Sequence, residues 1–590
     1  MNMKRLVIVF LLAAVGFSAC GDDTISEGES TGILEPSWGA NVRSRASGQT
    51  HVFSFRATGN WQVECSDAWC AVTPQSGPAG RQELTVVTSE NETGDLRAAT
   101  VLVYVVGYPM PEIIRITQSA EEGDYSEVNE WMFGDMKERY LWNEPLADFE
   151  PDYGVGYQDF LESMLNFVAA RKDGDGLPLN YDDGHWSNGN LDYYYSYVLG
   201  PEETEEQSFA TRSIGDEITE TGIWRLGVPH TADGLVVYGV APGTSAARAG
   251  LQRGMFITEV DGRKVTMLNY AELINRLYYG TSVRVLPNRV LTIDESGHFT
   301  EVEPLPEVTI SAEKFVDPAI YKSEMKTIGN KKVAYLLYMG FDSLQDETLI
   351  ETFESFRGAE ELILDLRYNG GGSVRSSTLL ATLIAGEAYK DEVFCRMTYN
   401  AQRMAREESG VYLIGSNIVP DGSGIYQPIA SALSASLGLQ RIYVIGTEST
   451  ASASELIING LRGMGIEVHL IGTRTNGKNV GMEGYVGHIV GEESYTFMPI
   501  TFYSENCQGF RDYSDGFVPD VELDDTNIYP ADFATEEDSY YSLAAFWIEN
   551  DRMPVISHSS RSAVGTRSIL LRPDPVARPA RRGGSIVFRE

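Results

Sequence analysis

Between residues 332 and 549, short runs rich in β-branched residues alternate with segments of helical spacing. This alternation constrains the chain more than any other feature. Strands are expected at 333–338, 361–367, 441–447 and 466–473, too far apart for hairpins, and the intervening helical segments favour a largely parallel sheet. In such a sheet the carboxyl ends of the strands share one rim, so the loops that follow them should converge. Three of those loops are Tyr368-Asn369-Gly370-Gly371-Gly372-Ser373, Thr450-Ala451-Ser452-Ala453-Ser454-Glu455 and Thr473-Arg474-Thr475-Asn476-Gly477-Lys478.

Each loop is a weak signal alone. Consecutive glycines let backbone N–H groups be approached closely, as an oxyanion hole requires, yet glycines end many strands. A serine on a strand-to-helix turn lies beside free helix N-terminal N–H groups that favour a developing anion. Ser452 is equally a helix cap, with Glu455 completing a capping box. A lysine near a serine serves as general base if burial lowers its pKa towards neutral. Brought to one rim, the three make a single strong signal. A competing phosphate-loop reading of Gly472 to Lys478 fails because Asn479 stands where Ser or Thr should hold magnesium and no helix follows. His469 lies within a strand and reads as a buried or facing residue.

At about 150 residues per domain, 590 residues ask for about four domains, and 43 % hydrophobic residues suffice to give each a core. Residues 35–120 carry period-two runs at the spacing of an antiparallel β-sandwich, such as Val52-Phe53-Ser54-Phe55 and Leu84-Thr85-Val86-Val87. Residues 124–213 open with apolar residues at helical spacing (Trp131, Met132, Met136, Tyr140; Phe160, Met164, Leu165, Val168), followed by an Asp/Gly/Asn-rich stretch at 173–190 that reads as a loop. Residues 214–311 show the strand Leu235-Val236-Val237-Tyr238, a short helix of small residues, Ser245-Ala246-Ala247-Arg248-Ala249-Gly250, and a strand ending in the turn Asp261-Gly262. The net charge of −38 argues against a nucleic-acid partner, because phosphate contacts need a basic face.

The first twenty residues read as a targeting segment: Lys4 and Arg5, an apolar run too short to span a bilayer, then Phe17-Ser18-Ala19-Cys20. A polar tether follows at 21–34. Of the five cysteines, Cys65 and Cys70 are close enough in sequence to pair, and burial as free thiols is the alternative. No Cys/His grouping has metal spacing. Residues 550–590 are basic, with Arg561, Arg567, Arg572, Arg578, Arg581, Arg582 and Arg589 against Asp574 and Glu590, and read as a disordered or contact tail.

Several blocks carry resemblances. Phe17 to Cys20 resembles a lipoprotein processing site, which implies lipidation of Cys20 and anchoring to the outer membrane, on its periplasmic side or at the cell surface, in a Bacteroidetes-type cell envelope. The sandwich, with Trp61, Trp69, Asn91, Arg97 and Ile116-Thr117-Gln118, resembles BACON-type Ig-like domains, which implies a spacer or adhesive module. Residues 214–311 resemble a PDZ domain, with Met255 where that family usually carries Asp; such a domain adds a peptide as an extra strand and holds its C-terminal carboxylate. The three loops, with Gly516-Phe517-Val518-Pro519-Asp520, resemble the C-terminal processing peptidases of family S41 over about 128–549.

The fold implied is multidomain, α/β and β: an N-terminal β-sandwich, a small helical region, a PDZ-like domain and a crotonase/ClpP-like α/β protease core at 312–549. By position the S41 resemblance makes Ser452 the nucleophile, Lys478 the general base, and the N–H groups of Ala453 and Gly371 the oxyanion hole, with Ser454 and Glu455 structural. Glu483 is the candidate for orienting the lysine, since Met482 stands where many members carry a polar residue. No metal or organic cofactor is implied, and the partner is a polypeptide substrate recruited through its C-terminus. A catalytically idle surface lipoprotein that binds peptides or glycans is the alternative, motivated by Met482 and one extra residue between Ser452 and Lys478.

Overall fold

The computed structural model describes residues 32–34, 36, 38, 42–93, 97–106, 108, 111–118, 125–187, 190–201, 217–227, 234–266, 269–293, 299–406, 410–415, 429–491, 493–523, 530–555 and 586–588. The targeting segment, with Cys20, and most of the basic tail lie outside the described residues. The chain divides into two compact units, residues 1–122 and 123–590.

The first unit is the expected sandwich. One sheet runs Ile33–Leu34, Thr50–Ala57, Gly80–Thr88, Cys70–Thr73; the other runs Val42–Ser44, Glu112–Gln118, Arg97–Val105, Trp61–Cys65, Ser76–Gly77. Strict alternation along Arg97–Val105 buries Ala99, Val101, Val103 and Val105 between the sheets, beside the edge-to-face pair Phe55 and Trp61. Cys65 and Cys70 are free thiols, and the hydrogen bond between them pulls the Cys65 thiol down to about 7.

In the second unit the expected strands form the α/β core. Its six-stranded sheet takes, in order, β1 (Ile320–Ile328), β2 (Lys331–Tyr338), β3 (Glu361–Asp365), β4 (Arg441–Gly446), β5 (Glu467–Gly472) and the short strand Val521–Glu522. β1 and β2 are antiparallel and the rest parallel, in the registers Val333↔Glu361, Ile363↔Tyr443 and Gly446↔Gly472. Helices α1 (Asp346–Ser355), α2 (Val374–Ala385), α3 (Ala453–Gly463) and α4 (Ser539–Asn550) pack around it. Because helices cover a parallel sheet, its strands are continuous apolar runs, and Leu336, Leu364, Val444 and Ile471 are fully buried.

A second sheet is absent from the sequence reading. Its strand β6 (Val480–Val490) pairs along one edge with the consecutive strands Glu493–Met498 and Ile500–Asn506, through Tyr485↔Phe497 and Met482↔Ile500. Beyond that edge, Tyr197–Leu199 pairs with Glu493–Met498, while Val393–Tyr399 pairs with Ile500–Asn506 and carries Gly410–Leu413 outside it.

The region expected to be helical does open with two helices, Ser126–Arg139 and Tyr157–Ala169. It then adds the hairpin Gly184–Ser187/Asn190–Tyr194, part of which falls in the stretch expected to be loop. The PDZ-like region is a sheet of Ile223–Gly227, Leu235–Val240, Met255–Val260, Val283–Ile293 and Phe299–Pro304 with the helices Ser245–Arg248 and Tyr270–Tyr279. Met255 packs into its apolar core, which is why a methionine can replace a polar residue there. Within the basic tail, the β-branched and aromatic run Ile586–Phe588 is a strand.

Candidate active site

Ser452 stands between β4 and α3 with φ +57° and ψ −117°, a strained conformation for a residue with a side chain, and is 2 % exposed. The turn is held open by its own bonds. Thr450 Oγ1 donates to the carbonyl of Leu366 at 2.8 Å, and Ser454 Oγ donates to the carbonyl of Asn369 at 2.9 Å. These bonds fasten the serine turn to the glycine loop.

Gly371, at φ +106°, lies against that turn. A Cβ placed on it would meet Ser452 Cβ at 2.8 Å and the N of Ala453 at 3.0 Å, so only glycine allows this approach. The Gly371 N–H itself donates to Asn369 Oδ1 at 2.9 Å, and Asn369 is anchored by donating to the carbonyl of Tyr338 at 3.0 Å. Gly371 is therefore brought to the serine while its N–H is engaged within its own loop.

Lys478 is 2 % exposed, and its Nζ lies 4.7 Å from the centre of the Tyr195 ring. Its loop is tied to the serine turn by the Glu455 carboxylate. Oε2 accepts the N–H of Ser452 at 3.0 Å and the N–H of Lys478 at 2.9 Å; Oε1 accepts the N–H of Gly477 at 2.7 Å and the hydroxyl of Thr475 at 2.6 Å. Burial pushes this carboxyl up to about 7 against those bonds. The block Gly516 to Asp520 braces the same loop: Phe517 N–H donates to Thr475 Oγ1 at 2.7 Å, and Leu470 N–H donates to Asp520 Oδ2 at 2.8 Å. The three loops thus share one rim, as the parallel sheet requires.

Sequence reading missed two contributors. Tyr195 carries the ring beside Lys478 and donates its hydroxyl to Asn476 Oδ1 at 2.8 Å. Asp183, fully buried, accepts from Tyr140 and twice from Ser196 at 2.7–2.8 Å, and burial pushes it up to about 7 against those bonds. Asp183 belongs to the stretch 173–190 whose Asp/Gly/Asn content reads as loop, and Tyr195 follows it; the one local signal is the aromatic run Tyr193-Tyr194-Tyr195.

Glu483 is the residue expected to orient the lysine. In the structure its carboxylate accepts Arg403 Nη1 at 2.6 Å and the Tyr399 hydroxyl at 3.0 Å, so it balances the buried arginine of the short helix Ala401–Met404. His469 stacks on Trp547 at 4.3 Å, away from the serine loop, as its place in a strand suggested.

The PDZ-like region touches the glycine loop at its first residue. Arg253 Nη1 donates to the Tyr368 hydroxyl at 3.0 Å, and the rings of Trp224 and Tyr368 lie 5.0 Å apart. A polar depression of about 520 Å³ lined by Glu360, Glu361, Gln440, Arg441 and Glu467 sits at the opposite, amino end of the strands. Among the described residues no group of His, Cys, Asp or Glu could hold a metal ion.

Comparison with known proteins agrees with this architecture. The family model described as peptidase family S41 matches residues 332–523, that of the peptidase S41 N-terminal domain 127–188, a PDZ domain 236–284 and a viral BACON domain 39–120. A carboxyl-terminal-processing protease of Picosynechococcus is 22 % identical over 49 % of this chain and 61 % of its own length. The chloroplastic carboxyl-terminal-processing peptidase 3 of Arabidopsis thaliana is 26 % identical over 46 % of this chain and 48 % of its own. The match thus spans about half to three-fifths of those relatives. A solved S41 protease structure from Bacteroides fragilis, 23 % identical, covers 72 % of this chain and 97 % of its own with a TM-score of 0.54, which is a likeness of fold. The peptidase family S41 model, its N-terminal domain model and the PDZ model thus match this chain in their expected order, with the BACON model matching ahead of them.

Proposed function

We propose that this protein is a serine endopeptidase in which Ser452 and Lys478 form the catalytic dyad. The observation that carries the reading is the Glu455 carboxylate, which ties the backbone of the strained Ser452 to that of the buried Lys478. Neutral Lys478 takes the proton of Ser452 Oγ as the oxygen attacks the scissile carbonyl. The N–H of Ala453 receives the developing oxyanion, joined by the N–H of Gly371 as it turns from Asn369 towards the substrate; water then releases the acyl-enzyme. The polypeptide is recruited through its C-terminus by the PDZ domain, whose contact with Tyr368 adjoins the glycine loop.

The protein works in the cell envelope, lipidated at Cys20; Lys4, Arg5 and the apolar run before Cys20 are the support. Metabolic labelling with a fatty acid, lost in Cys20→Ala, tests that placement.

The deciding assay is cleavage of an unfolded polypeptide by the purified protein beside Ser452→Ala and Lys478→Ala. Loss of cleavage in both variants is expected. Equal performance of all three proteins removes the dyad.

A further inference from the structure

β6 begins at Val480, two residues after Lys478, and only one of its edges is used by the neighbouring antiparallel strands. The other edge receives Ile586–Phe588, which lies parallel to it in the register Met482↔Ile586, Glu483↔Val587 and Gly484↔Phe588. The backbone groups of Glu483 are occupied elsewhere: its N–H donates to Thr501 Oγ1 at 3.0 Å, and its carbonyl accepts from Arg139 at 3.0 Å. Successive residues of a strand aim these groups at opposite edges, so those of Met482 and Gly484 face the side where Ile586–Phe588 lies. An edge of this kind is a template for adding a strand through main-chain bonds, tolerant of sequence. Charge points the same way. From Arg561 onward the tail carries seven arginines against two acidic residues, in a chain whose total is −38, so an acidic body attracts it.

We propose that the open edge of β6 is a docking track for an extended peptide strand beside Lys478. Its resident occupant is the distal segment 586–588 of this same chain, which holds in cis the place that a stretch of substrate takes. The competition with substrate rests on the peptidase reading above; the docking itself does not. A tethered strand of millimolar intrinsic affinity meets an effective concentration also near millimolar, so removing it should lower the apparent KM by about two-fold to ten-fold.

The test compares the full chain, a version lacking residues 556–590, and Val587→Pro in the full chain, which loses a strand N–H without a truncation. A fluorescein-labelled synthetic peptide of residues 579–590 is titrated into each and followed by anisotropy, and cleavage of an unfolded polypeptide is measured in parallel. Saturable binding that is two-fold to ten-fold tighter to the truncated chain and to Val587→Pro than to the full chain, with KM lowered by the same factor, is expected. Absence of saturable binding to the truncated chain, or equal binding to all three, overturns the docking whatever the activity does. Binding as expected with an unaltered KM overturns the competition with substrate. If no version cleaves any polypeptide, the peptidase reading fails, and the anisotropy still decides the docking.

Discussion

The N–H of Lys478 donates to Glu455 Oε2 at 2.9 Å, and the same oxygen accepts the N–H of Ser452 at 3.0 Å. One buried carboxylate therefore sets the separation of two loops that follow different strands. All four groups bonded to it are donors, which makes its ionised form the matching one.

Glu455→Gln puts two N–H donors of its own among those four. At least one buried donor loses its acceptor, at a cost of about 1–3 kcal/mol in stability. Because the displaced donors belong to the serine and lysine loops, we expect kcat to fall at least about ten-fold, measured on protein shown to be folded by circular dichroism. Wild-type kcat in the folded variant would show that capping is all the residue does.

The pH dependence has two opposed parts. Burial raises the Glu455 carboxyl from 4.5 to about 7 and the Asp183 carboxyl from 3.8 to about 7. The folded chain thus holds protons that the unfolded chain releases, so stability is greatest below the unfolded values. It declines as pH climbs to about 7 and levels off above, on the order of 3 kcal/mol from Glu455 alone. Activity runs the other way, since protonating Glu455 displaces a donor: kcat/KM should fall as pH drops below about 7. Melting curves and initial rates across the same buffers check both limbs. A rate that stays flat through this window while the melting temperature moves refutes the second.

Gly371→Ala and Gly358→Ala separate strain from collision. Both positions have positive φ, +106° and +86°, but a Cβ on Gly358 meets open space, whereas one on Gly371 meets Ser452 and Ala453. The Gly358 variant should lose about 1 kcal/mol and keep its activity. The Gly371 variant should lose more stability and at least about a hundred-fold in kcat, because the added methyl occupies the space over the serine. Comparable kcat in the two variants would place the oxyanion elsewhere.

Glu483→Gln addresses the residue expected to orient Lys478. Removing the carboxylate charge from its buried pair with Arg403 should cost about 3–5 kcal/mol in chemical denaturation. The kcat of the folded fraction should stay within about two-fold, a result an orienter of Lys478 would not give.

Much of the catalytic fold was legible because its strands are short β-branched runs separated by helical segments; the observed β2 to β5 lie within two residues of the expected bounds. Serine, lysine and glycine loops were legible for the same reason, as each ends such a strand. The second sheet was not. Its strands derive their burial from partners hundreds of residues away, such as Leu141, whose N–H bonds to the carbonyl of Ile500 at 2.9 Å, and the local pattern carries no trace of them.

The sequence by itself determined which side chains could do chemistry and on which rim a parallel sheet must gather them. Tertiary structure decided what each one touches. Glu455 reads as a cap from its spacing to Ser452, and only the return of the chain at Thr475 to Lys478 makes it a hub. Glu483 reads as a neighbour of the lysine from its spacing to Lys478, and only the strand direction of β6 turns it to Arg403. Spacing along a chain fixes local geometry, whereas a buried charge takes whichever distant donor the packing brings within hydrogen-bond reach.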